Sequence, residues 1–239
     1  MNTLITICAR GGSKGLPGKN YKNLNGKPLV TYSSEQAVQL ADRLGADIAV
    51  STDSDIIKNC ISHLGQVDVE YVRPDDLSGS SVSKVLTIKA LKEWKEKKEN
   101  KEYDVVIDLD VVAPLRTIDE LVDCFNKLNS NAEALNIFSV SEAKKNPYFN
   151  MIEMNGDFGH IPCGGGKVIS RQTAPEVYEL NGSFYMYRKS FFDQGLTTPY
   201  AEKTMVYKVD HHCFDIDDPI DFDWLEFLMK RGDLKGILE

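Results

Sequence analysis

Ala9-Arg10-Gly11-Gly12-Ser13-Lys14-Gly15-Leu16-Pro17-Gly18-Lys19-Asn20 follows directly on the apolar, β-rich run Leu4–Cys8. A strand that breaks into glycines and cations has the makings of an anion-binding loop. Glycine lets the main chain approach a ligand closely and turn N–H groups towards it. Arg10, Lys14 and Lys19 supply the charge that a polyphosphate requires. The two familiar phosphate loops do not fit. A Walker A loop needs a glycine where Ser13 stands and a Ser or Thr where Asn20 stands, and the Rossmann GxGxxG spacing is missing. An exposed Gly/Pro turn with solvated lysines is the plainer alternative.

Outward from this loop, β-rich runs alternate with stretches of helical apolar spacing. The strands are expected at Leu4–Cys8, Ile48–Ser51, Val69–Val72, Val105–Leu109 and Leu135–Val140. Helices are expected at Val30–Arg43, Ile56–His63, Lys84–Lys98 and Ile118–Leu128. This alternation predicts an α/β fold with a mostly parallel sheet covered by helices. After about Glu142 the pattern gives way to Pro147, Gly156, Gly159 and the Gly164–Gly166 run, which reads as a loop-rich insertion over about residues 143–180 of a single domain. Regular structure is expected again at Ser183–Tyr187, at Met205–Lys208 and in a closing helix from about Pro219 to Lys230.

The chain has 239 residues, 42% of them hydrophobic, and a formal net charge of -8. The length allows a sizeable core, and the acidity argues against a general nucleic-acid binder, so an anionic ligand needs a local basic site. The apolar run from Thr3 to Ala9 is too short for a signal-peptide core, and a cytoplasmic location is expected. Five cysteines with no CxxC pair read as reduced, buried thiols.

Asp215 and Asp217 flank Ile216 in what reads as a short strand, which points both carboxylates to one face and the isoleucine into the core. Such a pair suits Mg²⁺, which favours one or two carboxylates together with phosphate oxygens and water. The alternative is capping of the final helix, for which Asp218 before Pro219 is the better candidate. Ser51, Thr52 and Asp53 sit at the carboxyl end of a strand, where open α/β sheets bind ligands. They read equally as a pocket wall or as caps of the next helix. The four histidines form no ligand-spaced cluster.

The segment Ala9–Asn20 resembles the signature of the acylneuraminate cytidylyltransferases, the CMP-sialic acid synthetase family. Val50–Ser54, Arg73-Pro74, Pro114-Leu115-Arg116, Arg171-Gln172, Asn181-Gly182 and Asp215-Ile216-Asp217 are similar to the family's later blocks, in the same order and over nearly the whole chain. The resemblance implies a Rossmann-like nucleotidyltransferase fold with a small dimerisation insertion. It also implies a homodimer and a Mg²⁺-dependent reaction in which an acid sugar attacks CTP to give CMP-sugar and pyrophosphate. It places the nucleotide on Ala9, Arg10, Gly11, Gly12, Ser13, Lys14, Lys19, Asn20, Arg73 and Ser83. The sugar falls on Asp110, Arg171, Gln172, Tyr178 and Asn181, and the metal on Asp215 and Asp217. Arg10, Lys14, Lys19 and Asp217 carry catalysis.

One block departs from that pattern. Asp110, in Asp108–Arg116, stands where the family commonly has glutamine. A carboxylate accepts hydrogen bonds, prefers a donor on the sugar or a metal, and repels a nearby substrate carboxylate. In this the chain is similar to relatives acting on legionaminic acid or on other bacterial sugars, including a guanylyltransferase branch that uses sugar phosphates. A guanylyl- or cytidylyltransferase acting on a sugar 1-phosphate, and a non-catalytic nucleotide-sugar binding protein, are the alternative readings.

Overall fold

Residues 1–13, 15–79 and 82–238 are described by the computed structural model. Its strands are β1 (Thr3–Cys8), β2 (Asn23–Leu24), β3 (Lys27–Pro28), β4 (Asp47–Ser51), β5 (Val67–Asp68), β6 (Val105–Leu109), β7 (Asn136–Glu142), β8 (Glu153–Asn155), β9 (Phe158–His160), β10 (Tyr178–Arg188) and β11 (Thr204–Lys208). The helices are α1 (Leu29–Leu44), α2 (Asp55–Ile61), α3 (Lys84–Glu99), α4 (Ile118–Ser130), α5 (Lys189–Asp193) and α6 (Pro219–Arg231).

Seven strands form one sheet in the order β11-β7-β10-β6-β1-β4-β5. β1 pairs in parallel with β4 and β6, and β11 with β7, while β10 runs antiparallel between β6 and β7. β1 and β6 are mostly apolar because both of their faces are covered, with Thr6 and Asp108 as buried polar exceptions that face each other. Leu4, Ile5, Ile7, Val105, Val106, Ile107 and Leu109 are all fully buried. The expected α/β architecture is therefore present. The strand expected at Val69–Val72 is displaced: the paired residues are Val67–Asp68, and only an isolated bridge joins Val72 to Thr52. Asp215–Asp217 is not a strand either. The segment takes one ladder-like bond, Ile216 N to Val112 O at 2.9 Å, and buries Ile216.

Helix ends follow their local chemistry. Asp218 caps α6 by accepting from Ile220 N and Asp221 N, and Asp221 returns the bond in a capping box with Pro219 in the first turn. The same device opens α4, where Thr117 and Glu120 cap each other. Glu120 also lies 3.0 Å from His211 Nε2. Burial alone would lower the His211 pKa, but Glu120 and the His212 carbonyl raise it above 6.5; burial alone would raise that of Glu120, yet His211 and Thr117 hold it below 4.5.

The centre of the sheet is locked by Arg116, which is fully buried. Its guanidinium donates to Gln36 Oε1 (2.8 Å), Ser33 Oγ (2.6 Å), the Asp110 carbonyl (2.6 Å) and the Ser183 carbonyl. It thereby joins α1, the loop after β6, and a bulge of β10 where the register shifts between Leu180 and Tyr185.

Two outcomes are expected. Arg116→Met removes four hydrogen bonds of a buried guanidinium and is expected to lower unfolding free energy by ~3 kcal/mol in urea titration. The His211–Glu120 pair stabilises fully between pH 4.5 and 6.5, fading as pH rises through the raised His211 value or falls through the depressed Glu120 value. The melting-temperature difference between wild type and His211→Asn is therefore largest near pH 5.5, about midway, and shrinks towards pH 8.

Candidate active site

The loops that leave the carboxyl ends of β1, β4 and β6 meet over the sheet, the position where open α/β sheets hold ligands. Ala9 N donates to Ser51 O at 3.0 Å and Gly11 N to Asp53 Oδ1 at 2.6 Å, so the loop after β1 is stitched to the end of β4. Asp53 thus shapes the pocket, while Ser54 caps α2. Asn20 Nδ2 donates to Arg10 O at 2.9 Å and closes the loop on itself; its buried Oδ1 has no partner among the described residues. These contacts bound a cleft of about 310 Å³ lined by Arg10, Gly12, Ser13, Lys19 and Asn20 of the loop. Arg73 and Val82 stand on one wall, and Lys84, Asp110 and Val112 lie on the floor. Lys14 lies outside the described residues.

The acidic segment closes over the other side of the loop. Lys19 is buried, with its Nζ donating to the Ile216 carbonyl and lying 3.5 Å from Asp217 Oδ1. Asp217 keeps 81% of its side chain exposed, so its carboxylate is available to a ligand. Gly15 must be glycine here, since a Cβ would fall 2.2 Å from the Asp217 carbonyl oxygen. Gly182, at φ +66, plays the same part in the β10 bulge: a Cβ there would sit 2.5 Å from Asp215 Oδ1. Desolvation by the surrounding main chain, together with Asp110 and Asp217, pushes the Asp215 carboxyl up to about 7. Two carboxylates in a locally anionic edge, one of them open, form a donor set that fits Mg²⁺ completed by phosphate and water. Among the described residues no group of three or more His, Cys, Asp or Glu forms a cage that would hold a metal unaided.

Of the floor, sequence reasoning found Asp110 and missed Lys84. Lys84 Nζ lies 2.6 Å from both Asp108 Oδ2 and Asp110 Oδ2. Burial disfavours its charge, but the two carboxylates raise its pKa well above 10.5. Burial likewise works against the Asp110 carboxylate, and Lys84, Val112 N and Arg116 hold its pKa below 3.8. The only signal in the sequence was a lysine at the first turn of a helix, where the helix dipole disfavours it and a buried carboxylate must compensate.

Arg73 is buried and donates from Nε to Ser51 Oγ (2.9 Å) and from Nη2 to Ser51 O (2.7 Å), leaving one edge towards the cleft. Ser83 is turned away, its hydroxyl donating to the Thr197 carbonyl. Asn181 is consumed by the fold: Oδ1 accepts from Ser139 Oγ and Ser183 N, and Nδ2 donates to Ser141 Oγ. Arg171, Gln172 and Tyr178 lie exposed on the insertion and do not line this cleft in the single chain. Arg171 pairs with neither Glu176 nor Glu179, donating instead to the Lys144 carbonyl at 3.3 Å. Gly182→Ala is expected to cost ~1–2 kcal/mol of stability through its left-handed backbone, and to cut turnover by more than about tenfold by displacing Asp215. Denaturation and steady-state rates on the same preparation check both.

A family model described as cytidylyltransferase matches residues 4–154. "Post-translational flagellin modification protein B" of Campylobacter coli is 32% identical over 98% of this chain and 97% of its own length. "CMP-N,N'-diacetyllegionaminic acid synthase" of Campylobacter jejuni subsp. jejuni is 30% identical over 97% of this chain and 96% of its own. In fold, the chain is similar to the solved structure of CMP:2-keto-3-deoxy-manno-octonic acid synthetase complexed with CTP. The TM-score is 0.69 at 17% identity, over 97% of this chain and 100% of the other. With the family model spanning more than half of its length and the basic loop at the head of that match, the chain belongs to the cytidylyltransferase family.

Proposed function

We propose that the protein activates a nine-carbon acid sugar of the sialic or legionaminic acid type with CTP, giving CMP-sugar and pyrophosphate. The observation that carries this reading is the closure of a basic glycine loop against paired carboxylates. Lys19 is tied to the Ile216 carbonyl between Asp215 and Asp217, so triphosphate-binding cations and metal-binding anions meet at one edge. The relatives named for CMP-sugar synthesis support the substrate class.

In this reading Arg10, Lys14 and Lys19 hold the triphosphate, and the N–H groups of Gly12 and Ser13 face it, that of Gly11 being spent on Asp53. Arg73 borders the nucleoside. The orphaned Asn20 Oδ1 is an acceptor for a nucleotide hydroxyl or amine. Mg²⁺ held by Asp215 and Asp217 supplies charge neutralisation at the α-phosphate. The chain's remaining task is to align the sugar hydroxyl with that phosphorus and to hold the pyrophosphate as it leaves; no covalent enzyme intermediate is needed. The five cysteines, all unpaired, fit action in the cytoplasm.

The insertion supports a homodimer. Ile152, Met154, Phe158 and Ile169 are 61–86% exposed along one short segment around the β8–β9 hairpin, more apolar surface than a solvated hairpin needs. A second copy covering it brings Arg171, Gln172 and Tyr178 towards a sugar site. Asp110 favours a second reading, transfer to a sugar 1-phosphate from CTP or GTP, because an anionic floor does not welcome a sugar carboxylate.

Pyrophosphate release with Mg²⁺, crossing CTP and GTP against sialic acid, legionaminic acid and hexosamine 1-phosphates, separates the two. Release with CTP and a nine-carbon acid sugar alone is expected, whereas release with GTP and a sugar phosphate alone overturns the substrate assignment. Asp217→Asn is expected to abolish turnover by more than about 10²-fold with an unchanged melting temperature, and a variant at wild-type rate removes the metal role.

A further inference from the structure

Lys84 and Asp110 meet on the cleft floor in a geometry fixed from every side. The Asp110 main chain donates to Ser183 O at 3.0 Å and accepts from Ser33 Oγ at 2.8 Å and Arg116 Nη2 at 2.6 Å. Its carboxylate accepts from Val112 N at 3.1 Å and from Lys84 Nζ at 2.6 Å. Lys84 is held in turn by Asp108, a fully buried residue of β6 whose Oδ1 accepts from Thr6 Oγ1 at 2.8 Å. The lysine carries three N–H donors and spends one on Asp110, while Asp108 Oδ2 lies 2.6 Å away as an ion-pair partner only. Its side chain remains 33% exposed and that of Asp110 19% exposed, so a donor and an acceptor reach the cleft side by side. The three charges sum to one negative charge on the floor, opposite the cations of the glycine loop.

We propose that Lys84 is a specificity-determining residue for the sugar: with Asp110 it forms a rigid donor–acceptor pair that takes a hydroxyl or acylamino group and turns the sugar's carboxylate away from the floor. The floor's net negative charge, from Asp108, Asp110 and Lys84 together, keeps the triphosphate on the basic loop, and Asp110 lies within electrostatic reach of Asp215. A hydroxyl both donates and accepts, so it satisfies Asp110 and a free Lys84 N–H together, whereas a carboxylate satisfies only the lysine and meets repulsion from Asp110 and Asp108. Removing the ammonium leaves two carboxylates facing each other and doubles the negative charge of the floor. The inference rests on the cytidylyl-transfer reading.

Steady-state pyrophosphate release tests it, with the acid sugar varied at saturating CTP and CTP varied at saturating sugar. Lys84→Met is expected to raise KM for the sugar roughly tenfold or more while KM for CTP moves less than about threefold. Lys84→Arg retains part of the sugar affinity. Adding Asp110→Asn to Lys84→Met is expected to recover the sugar KM to that of Asp110→Asn alone, because the repulsion is gone; a structural lesion does not recover in this way. Asp110→Asn keeps the packing and carries the same decision if Lys84→Met does not fold: its sugar KM rises and its CTP KM does not. Equal shifts in both KM values, a shift in the CTP value alone, or an unchanged sugar KM overturns the proposal. Wild-type protein that is inactive with CTP and every acid sugar overturns the underlying reading, and this inference with it.

Discussion

A guanidinium with no carboxylate directly hydrogen-bonded to it holds the site together. Arg116 spends its donors on two carbonyls, a hydroxyl and a side-chain amide oxygen, and complete burial lowers its pKa to about 10. Burying that charge is costly, and it is tolerated because every one of these donors meets an acceptor supplied by the fold. The Asp110 and Ser183 carbonyls sit at the end of β6 and in the β10 bulge, neither of which has a full ladder partner. Pinning both to one planar group fixes where Asp110 enters the cleft and where Gly182 makes room for Asp215.

The charge pattern follows from this frame. In a chain of net charge -8 the cleft gathers Arg10, Lys19, Arg73 and Lys84. They are not equivalent. Lys84 is neutralised by two carboxylates and Lys19 lies by Asp217. This leaves Arg10 in the glycine loop, and Arg73 anchored to the neutral Ser51, as the cations of the cleft without a carboxylate partner among the described residues. Opposite the loop, Asp215 and Asp217 lack such compensation, apart from Lys19 at 3.5 Å from Asp217. The site is polarised, basic at the glycine loop and acidic at Asp215 and Asp217, which suits the triphosphate and divalent cation of the proposed function.

Most of the fold was legible in the sequence, because parallel strands buried on both faces leave mostly apolar runs and the helices between them keep their 3.6-residue spacing. What failed was set by partners far along the chain. Val67–Asp68 rather than Val69–Val72 pairs with β4, because short edge strands take their register from the neighbour. The Asp215–Asp217 segment looked like a strand because it alternates, yet its extended form is held by one bond to Val112 and by Lys19. Within the site, the glycine loop and the acidic pair were legible as local motifs. Lys84 was not, since its role exists only through two aspartates on another element. Asn181 was assigned to the sugar through the family resemblance, whereas the bulge it sits in uses both ends of its amide.

The contrast between Asn181 and Arg171 shows how the sugar side differs from the nucleotide side. On β10 the polar groups near the cleft are saturated by the protein, which makes that wall rigid and chemically quiet. On the insertion, Arg171 makes a single long bond to a carbonyl and stands beside exposed apolar side chains. A guanidinium left with spare donors on an apolar, water-facing segment is poorly used in one chain and well used at an interface, where desolvation strengthens each charged hydrogen bond. On the proposed reading one chain supplies the nucleotide half of the cleft, whereas the sugar half takes its outer wall from a second copy, so its selectivity is divided between the fixed floor at Lys84 and Asp110 and a wall that assembly provides.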